Sequence, residues 1–448
     1  MTSMPPLAPA ERGGSVQIPT LDVGALIDQR PLSALQALVA VLCGLAMFAN
    51  GYDLQALALA VPSLAQQWHL PPSHFGFALA ASSIGLAVGA IALAPLGDRL
   101  GRKPALIAAM ALVGLTMLCT ATATDPGQFV IWRFLTGLGM GFGIPNCNAW
   151  TAEYAPLKRR ALILVLMNAA IAAGAFSAAI AAPKVIGYFG WQGTFLLGGV
   201  VPLLLSCVLF GAPESVKLLA ARRPQDGRIH SILKRIAPGI AYVQSAVTKE
   251  PARGSVTEVL KREYRARTLL LWTVVVLNLF IFFVLISWLP TLLHSAGWSL
   301  DAALRGTAVI QAGGLIGGIL LSFCVDTGKT LPALRVAFIA AAVCLALFRF
   351  LPPGASWNLL LVVVGAGISG AQLALNALST AYYPPAIKAT GMSWVGAVGQ
   401  AGSIIAPLAG AFIIDQGIAA TNILLMLSAP ALLCAGVVLF MRQEWQAH

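Results

Sequence analysis

Residues 38–61 have the sequence LVAVLCGLAMFANGYDLQALALAV, an apolar run that contains a single charged residue, Asp53. About 20 apolar residues are enough to cross the hydrocarbon core of a membrane as a helix. A second run, FVIWRFLTGLGMGFGIP at residues 129–145, contains the single charge Arg133. The two runs predict a membrane protein built of helices. Because burying a charge at membrane depth is expensive, Asp53 and Arg133 are candidates for a functional site.

The depths of these two charges predict that they meet. If the first run leads outward and the second leads back, both residues lie about seven positions from the same surface, roughly 10 Å at helical rise. A carboxylate that faces an arginine in a low-dielectric interior is well suited to proton coupling. The alternative is an ion pair that only fixes helix packing, although buried ion pairs are a poor source of stability.

The whole chain has the composition of a polytopic membrane protein. Of its 448 residues, 58% are hydrophobic and 10% are charged, whereas soluble globular proteins have about 25% charged residues. We therefore predict an all-α fold in the lipid bilayer. Its twelve apolar segments of spanning length cover about residues 33–60, 75–97, 103–122, 126–150, 160–182, 193–212, 267–294, 301–325, 330–351, 356–382, 386–413 and 419–441.

The net charge of +12 is a topology signal rather than a sign of nucleic-acid binding. Of 28 lysines and arginines, Lys184, Arg305 and Arg349 fall at one predicted surface and Arg133 lies inside a span, so the others fall at the opposite surface. Since cytoplasmic loops carry the excess of basic residues, both termini and the central loop are expected in the cytoplasm. No nucleic-acid partner is expected.

The termini and the cysteines carry no further functional signal. Residues 1–20 lack the apolar core of a signal peptide and are expected to form a disordered cytoplasmic tail. All seven cysteines lie in predicted spans without C-x-x-C spacing, so they are expected to be reduced packing residues. No pattern of a metal, haem or nucleotide site is found, and no cofactor is expected.

The two halves of the chain align with each other at a shift of 228 positions. Asn50 then meets Asn278, and Pro62 meets Pro290. Further matches pair Gly85 with Gly313, Gly89 with Gly317, Asp98 with Asp326, Gly137 with Gly365, Gly139 with Gly367, Asn148 with Asn376, Tyr154 with Tyr382, Pro156 with Pro384 and Arg160 with Lys388. Six spans repeated in parallel are typical of transporters whose halves rock about a central site.

The repeat also sets the predicted division of the chain. A cytoplasmic tail covers 1–32, a first six-helix bundle 33–212, a cytoplasmic linker 213–266, a second bundle 267–441 and a second tail 442–448. The linker segment GRIHSILKRIAPGIAYV is expected to form an amphipathic helix on the inner membrane surface.

Ionisable residues inside the spans belong to the first half, whereas the second half carries amides. Asp53 aligns with Ile281, and Arg133 with Leu361. We interpret this as a division of labour in which the first half carries the proton and the second half forms an aromatic and amide pocket. Because an unpaired amide in hydrocarbon costs several kcal/mol, these amides are expected to face the protein interior rather than lipid. The candidate substrate-binding residues are Asn50, Tyr52, Asn278, Trp288, Gln311, Gln372, Asn376 and Gln400.

A charged loop, GDRLGRKP at residues 97–104, separates the second and third spans. Asp98, Arg99 and Arg102 are expected to form a cytoplasmic gate with Glu153, which lies at the inner end of the fourth span. Such a charge network could latch two bundles in the outward-open state. Asp98 could instead cap a neighbouring helix N-terminus. The remaining alternative is an ordinary solvated loop.

DRLGRK at 98–103 resembles the loop signature of the major facilitator superfamily. More specific are NGYDLQA at 50–56, RFLTGLGMGFGIPNCNAWTAEYAP at 133–156, GWQGTFLLGGVVPLLL at 190–205, PES at 213–215, LNLFIFFVLISWLPTLL at 277–293 and GAQLALNALSTAYYP at 370–384. Together these motifs look like the aromatic acid:proton symporter family over nearly all of residues 30–440. The resemblance implies uptake of benzoate-type carboxylates with protons, and it matches Asp53, Arg133, Asp98, Arg102 and Glu153 to residues of the family's pattern.

This chain departs from the family pattern at two kinds of position. The first acid of the family's D-G-x-D motif is Asn50 here, and the arginines often found in members are replaced by Gln400 and Lys388. We expect a proton-coupled importer of an aromatic carboxylate in a bacterial inner membrane. It is expected to be a monomer and not to be an enzyme. Two alternatives remain: a proton-driven drug or metabolite exporter of the same fold, and a membrane enzyme or sensor.

Overall fold

The computed structural model describes residues 21–223, 225–236, 245–246, 256–384 and 387–441. Apart from two short strands, β1 (Leu21–Asp22) and β2 (Ser245–Ala246), which pair in parallel, these residues form helices and their connections. Of the predicted tails, residues 1–20 and 442–448 lie outside the described residues, as do residues 224, 237–244 and 247–255 of the predicted linker.

The helices of the first half follow a short helix, α1 (Val23–Gln29). They are α2 (Ala34–Trp68), α3 (Gly76–Val88), α4 (Leu96–Leu100), α5 (Arg102–Ala121), α6 (Pro126–Tyr154) and α7 (Leu157–Leu209). The linker contains α8 (Val216–Arg222), α9 (Gly227–Ile236) and α10 (Val256–Val259). The second half consists of α11 (Arg265–Ser295), α12 (Leu300–Asp326), α13 (Thr330–Leu347), α14 (Ala355–Tyr382), α15 (Lys388–Asp415) and α16 (Ala420–Phe440).

Ten helical stretches among the described residues are long and apolar enough to cross a membrane, counting 72–100 as one stretch through a π-helical turn at 89–93. One of them, α7, has 53 residues and bends at Gly190, whose φ is 65°. Dividing α7 there and adding the 29-residue α6 gives the twelve segments of the sequence prediction. The all-helical membrane fold is confirmed.

The two halves repeat the same close helix contacts. A Cβ added to Gly85 would lie 2.1 Å from the carbonyl oxygen of Phe134, and one added to Gly313 would lie 2.3 Å from that of Val362, at corresponding positions of the repeat. Only glycine lets two helix backbones approach this closely. The same correspondence relates Gly137 with Ser82 to Gly365 with Ile310, and Gly174 with Phe48 to Gly402 with Val276. The internal repeat is therefore a repeat of packing.

The bundle has two distinct ends. The linker end contains α4, α8 and α9, and the far end contains residues 69–75, which connect α2 to α3. Three hydrogen bonds between the halves lie in the part of the bundle toward the far end: Gln55 donates to the carbonyl of Ile286 (3.4 Å), Gln311 donates to Gln55 (3.1 Å), and Ser73 donates to Asp415 (3.0 Å). The halves are thus joined by polar contacts toward the far end.

The amphipathic linker helix is present as α9, but its apolar face is covered by protein. Ile229, Ile232, Leu233 and Ile236 are all buried, and they belong to a cluster that also contains Leu35. The helix therefore packs with this face on the linker end of the first half, and that face does not lie on the membrane as the sequence pattern suggested. The part of the pattern beyond Ile236 lies outside the described residues.

Large apolar side chains cover the outside of the bundle. Phe77, Ile91, Leu204, Phe323 and Phe412 are each more than half exposed. Soluble proteins rarely expose so much apolar surface, and a lipid-facing surface requires it. The seven cysteines are free, as expected.

Candidate functional site

Asp53 and Arg133 form a fully buried, two-pronged ion pair. Arg133 Nη1 donates to Asp53 Oδ1 at 2.8 Å, and Nη2 donates to Oδ2 at 2.7 Å. The side chains are 0% and 1% exposed. Two parallel charge-assisted hydrogen bonds fix the geometry of both groups. The structure thus brings together the two intramembrane charges that the sequence placed at equal depth.

Ser82 of α3 holds the guanidinium from a third side. Arg133 Nε donates to Ser82 Oγ at 3.2 Å, and the Ser82 hydroxyl can donate to the carbonyl of Arg133 at 3.3 Å. The guanidinium carbon also lies 5.6 Å from the ring centroid of Phe195, which allows a cation–π contact. Ser82 was not among the predicted site residues, although a serine inside an apolar span is a polar signal of the same kind as the amides.

Two of the predicted gate residues, Asp98 and Glu153, contact the guanidinium of a third, Arg102, at the linker end. Arg102 Nη2 lies 2.6 Å from Asp98, Nε donates to Glu153 at 3.0 Å, and Nη1 donates to Asn146 at 3.2 Å. Asn146 also donates to the carbonyl of Phe142, one turn earlier in α6, which fixes its orientation. Asn146 was not among the predicted residues.

These partners of Arg102 all belong to the first half, so the observed network ties α4, α5 and α6 together rather than latching the two halves. Arg99 is exposed, and its carbonyl accepts a hydrogen bond from Arg222. Asp98 keeps half of its side chain exposed, and Glu153 about a fifth. Asp98 therefore pairs with Arg102 while half of its carboxylate side chain stays accessible at the linker end.

The carboxylate at the N-terminus of α5 is that of Glu214 and not, as one reading of the sequence suggested, that of Asp98. Glu214 accepts hydrogen bonds from the backbone N–H groups of Arg102 (2.9 Å) and Lys103 (3.2 Å). A negative charge is stabilising at a helix N-terminus. Gly101 has φ +120°, and a Cβ there would lie 2.3 Å from Glu214. The linker thereby reaches into the charged loop, a contact that sequence spacing alone could not reveal.

Three of the predicted amides form a chain in the second half. Asn278 of α11 donates to Gln372 of α14 at 2.8 Å, and Gln372 donates to Asn376 at 3.1 Å. Asn278 is buried, Gln372 is half-buried and Asn376 is exposed. The chain therefore runs from the interior of the second half to an accessible surface.

The other predicted second-half residues lie outside this chain. Gln311 donates to Gln55 of the first half, a residue that was not among the predicted site residues. Gln400 is half-buried, and its side-chain oxygen accepts a hydrogen bond from Ser403 at 2.7 Å. Trp288 is fully buried and donates to the carbonyl of Pro407 at 3.1 Å, so it packs α11 against α15.

The two candidate substrate-binding residues of the first half, Tyr52 and Asn50, differ in their hydrogen bonding. The hydroxyl of Tyr52 donates to the carbonyl of Thr194 at 3.2 Å. Asn50 is 0% exposed, and within the described part of the chain neither its amide nitrogen nor its oxygen has a hydrogen-bond partner. Since a buried polar group without a partner costs about 1–3 kcal/mol, Asn50 is placed to accept a ligand or water.

The chain is similar in sequence to known transporters over almost its full length. The chain is 34% identical over 430 residues to a gallate transporter of Pseudomonas putida, covering 94% of each protein. It is 35% identical over 432 residues to the 4-hydroxybenzoate transporter PcaK of Pseudomonas aeruginosa, covering 94% of this chain and 95% of that protein.

A solved structure has the same fold. The crystal structure of a D-xylose-proton symporter superposes with a TM-score of 0.74 at 18% identity, covering 93% of this chain and 100% of that one. A sequence model described as Major Facilitator Superfamily matches residues 43–407. With this match, and with gallate and 4-hydroxybenzoate transporters as relatives of more than 30% identity along its length, the chain belongs to the major facilitator superfamily.

Proposed function

We propose that this protein imports an aromatic carboxylate together with protons by alternating access. The observation that carries the proposal is the buried Asp53–Arg133 pair, in which an acid that can bind a proton contacts a cation that could equally bind a substrate carboxylate. The names of the relatives, gallate and 4-hydroxybenzoate transporters, supply the substrate class.

The pair can couple the proton to the substrate by exchange of carboxylates. While Asp53 is ionised, its two oxygens occupy both terminal nitrogens of Arg133. A proton on Asp53 removes its charge and weakens both bonds, which leaves the guanidinium able to bind an incoming anion. Release of the substrate anion restores the pair and discharges the proton. The amide chain from Asn278 to Asn376 then offers neutral donors from the other half.

The gate role of the linker-end network belongs to the same proposal. In the described conformation the halves are joined toward the far end, and the Arg102 network stabilises the loop between α4 and α5. In the opposite conformation, Asp98 and Arg99 would face the second half and help close the linker end. The network would then contribute to the balance between the two states.

The charge distribution and the internal repeat support assignments of orientation, location and domain movement. The linker end faces the cytoplasm of a bacterial cell, both termini lie on that side, and the protein resides in the inner membrane. Residues 33–212 and 267–441 move as two bundles joined by the linker 213–266. The protein acts as a monomer within the lipid bilayer and transports its substrate without chemically converting it.

Uptake by whole cells tests the proposal. Bacterial cells that express the chain are given radiolabelled benzoate, 4-hydroxybenzoate or gallate, with and without a protonophore. We expect accumulation of at least one acid above its external concentration, and loss of that accumulation with the protonophore. Uptake indistinguishable from that of cells without the chain, across a wider panel of aromatic acids, would contradict the proposal.

Gln400 provides a test of how the substrate carboxylate is bound. A cation at this position would give a charge-assisted hydrogen bond of about 1.5–3 kcal/mol. Gln400→Arg is therefore expected to lower the apparent KM for benzoate by tenfold or more. Gln400→Ala is expected to raise the KM several-fold, because it removes an amide donor. Both are measured as initial uptake rates normalised to protein level.

Gln416 supplies the matched control, since it is an exposed glutamine at the end of the same helix. Gln416→Arg and Gln416→Ala should leave the KM unchanged. If Gln400→Ala lowers protein level but alters neither affinity nor selectivity, Gln400 packs between helices and does not belong to the site.

A further inference from the structure

We infer that Gln55 and Gln311 form, across the interface of the two halves, a subsite for a hydroxyl group on the aromatic ring of the substrate. The inference rests on the proposed transport of aromatic acids and adds to it the class of ring that the protein selects. It is carried by the cavity that these two amides line and by the hydrogen-bonding capacity that they leave unused.

Two neighbouring polar side chains of helix α2 have partners in different halves of the protein. Asp53 faces Arg133 of the first half, whereas Gln55 bonds to Gln311 and to the carbonyl of Ile286 in the second half. Two residues along a helix correspond to about 200°, so the two side chains leave α2 on nearly opposite faces. The helix that carries the titratable acid therefore also carries the amide that meets the other half.

A small cavity lies beside the amide pair. Its lining comes from α2, α11, α12 and α14, and consists of Gln55, Phe282, Leu285, Ile286, Thr307, Ile310, Gln311 and Ser369. It has room for about one water-sized group. A ring hydroxyl has that size, whereas a whole aromatic acid does not. The rest of the substrate must therefore lie outside the cavity, with only one substituent inserted.

The polar groups at the cavity can both donate to and accept from a hydroxyl. A carboxamide has two N–H donors and an oxygen with two acceptor positions. The bond between the amides uses one donor of Gln311 and one acceptor position of Gln55. Thr307, one helical turn before Gln311, donates its hydroxyl proton to the carbonyl of Ala303, which leaves its oxygen free to accept. Both amide side chains are at most 7% exposed, so an inserted hydroxyl would be shielded from water.

The apolar part of the lining explains why the hydroxyl should belong to an aromatic ring. Phe282 borders the cavity, and its ring lies edge-to-face with Phe283 at 5.3 Å between centroids. Leu285 and Ile310 complete an apolar rim. Aromatic rings favour offset or edge-to-face contact with one another. A ring held at this rim can place one substituent between the two amides.

A site built to bond a hydroxyl discriminates strongly against the same molecule without it, because its buried amides are then left unpaired. The proposed test compares benzoate with 2-, 3- and 4-hydroxybenzoate as competitors of labelled substrate uptake. Gln311→Leu is expected to reduce the preference for the best hydroxylated acid over benzoate by about tenfold, through weaker binding of the hydroxylated acid. Gln55→Leu should act in the same direction.

Two further variants make the result interpretable. Gln66→Leu changes an exposed glutamine on the same helix α2 and should leave the preference unchanged. Thr307→Val keeps the shape of the side chain and, should the leucine variants fail to reach the membrane, still removes one polar group of the cavity. Reduced preference in Gln311→Leu or Thr307→Val, but not in Gln66→Leu, supports the subsite.

Unchanged preference in Gln311→Leu and Thr307→Val, with normal uptake of benzoate, overturns the subsite and leaves the proposed transport intact. A wild-type protein that takes up benzoate and all three hydroxybenzoates with equal affinity also overturns it. A wild-type protein that transports no aromatic acid overturns the proposed function and this inference together.

Discussion

Asp53→Asn is expected to abolish proton-driven accumulation while leaving exchange of substrate down its own gradient. The asparagine keeps an oxygen that can accept from Arg133 but cannot carry a proton at physiological pH, so the pair no longer changes charge. Accumulation in cells should fall to the external concentration, whereas counterflow in preloaded vesicles should persist. Full concentrative uptake by this variant would remove Asp53 from the coupling mechanism.

Loss of one charge from a buried pair can also destabilise the protein by about 3–5 kcal/mol, because the partner is left uncompensated. The double variant Asp53→Asn, Arg133→Gln separates this effect from coupling. It removes both charges and should restore protein level in the membrane without restoring accumulation. If the pair only fixed helix packing, the double variant would regain both.

Asp301→Asn serves as the matched control. Asp301 pairs with Arg305 one turn later in α12, but its side chain is half exposed. Exposed ion pairs contribute about 0–1 kcal/mol. This variant should accumulate substrate as the wild type does, so that a defect confined to Asp53→Asn is due to the buried position rather than to loss of an aspartate.

The sequence was sufficient to predict that the two charges inside the spans, Asp53 and Arg133, meet. Helical rise is uniform, so counting residues from the ends of two oppositely directed spans placed Asp53 and Arg133 at the same level. The repeat likewise predicted corresponding contacts, as the glycine pairs at Gly85 and Gly313 show. Both predictions depend only on distance along the chain, which the sequence specifies completely.

The direction in which a side chain points could not be predicted. A helix that is apolar on all sides has no hydrophobic face to orient it. Gln55 was therefore passed over, although it faces the second half, and Trp288 was placed in the pocket, although it packs against Pro407. Glu214 was missed for a different reason: its contact with α5 depends on how the linker folds back onto the charged loop.

The gate network yields the second large effect, through the variant Arg102→Gln. One guanidinium bonds to Glu153 and Asn146 and pairs with Asp98, so its removal leaves the largely buried carboxylate of Glu153 without a cation. We expect the transport rate to fall by at least tenfold. The matched control is Lys103→Gln, because Lys103 neighbours Arg102 in the same loop but its ammonium group donates to an exposed backbone carbonyl, that of Phe210.

The gate is distinguished from a merely structural loop by the balance between the two conformations. If Arg102 helps close the linker end in the outward-open state, its loss favours the state in which that end is open. A cysteine introduced at Met392, an exposed residue near the start of α15, should then be alkylated faster in Arg102→Gln than in the Lys103→Gln background. Single residues that bias such an equilibrium typically shift it by about 0.5–2 kcal/mol, or roughly two- to thirtyfold in labelling rate. Site-resolved mass spectrometry separates this thiol from the native cysteines. Equal labelling rates at Met392→Cys in both backgrounds would show that the network only stabilises the loop between α4 and α5.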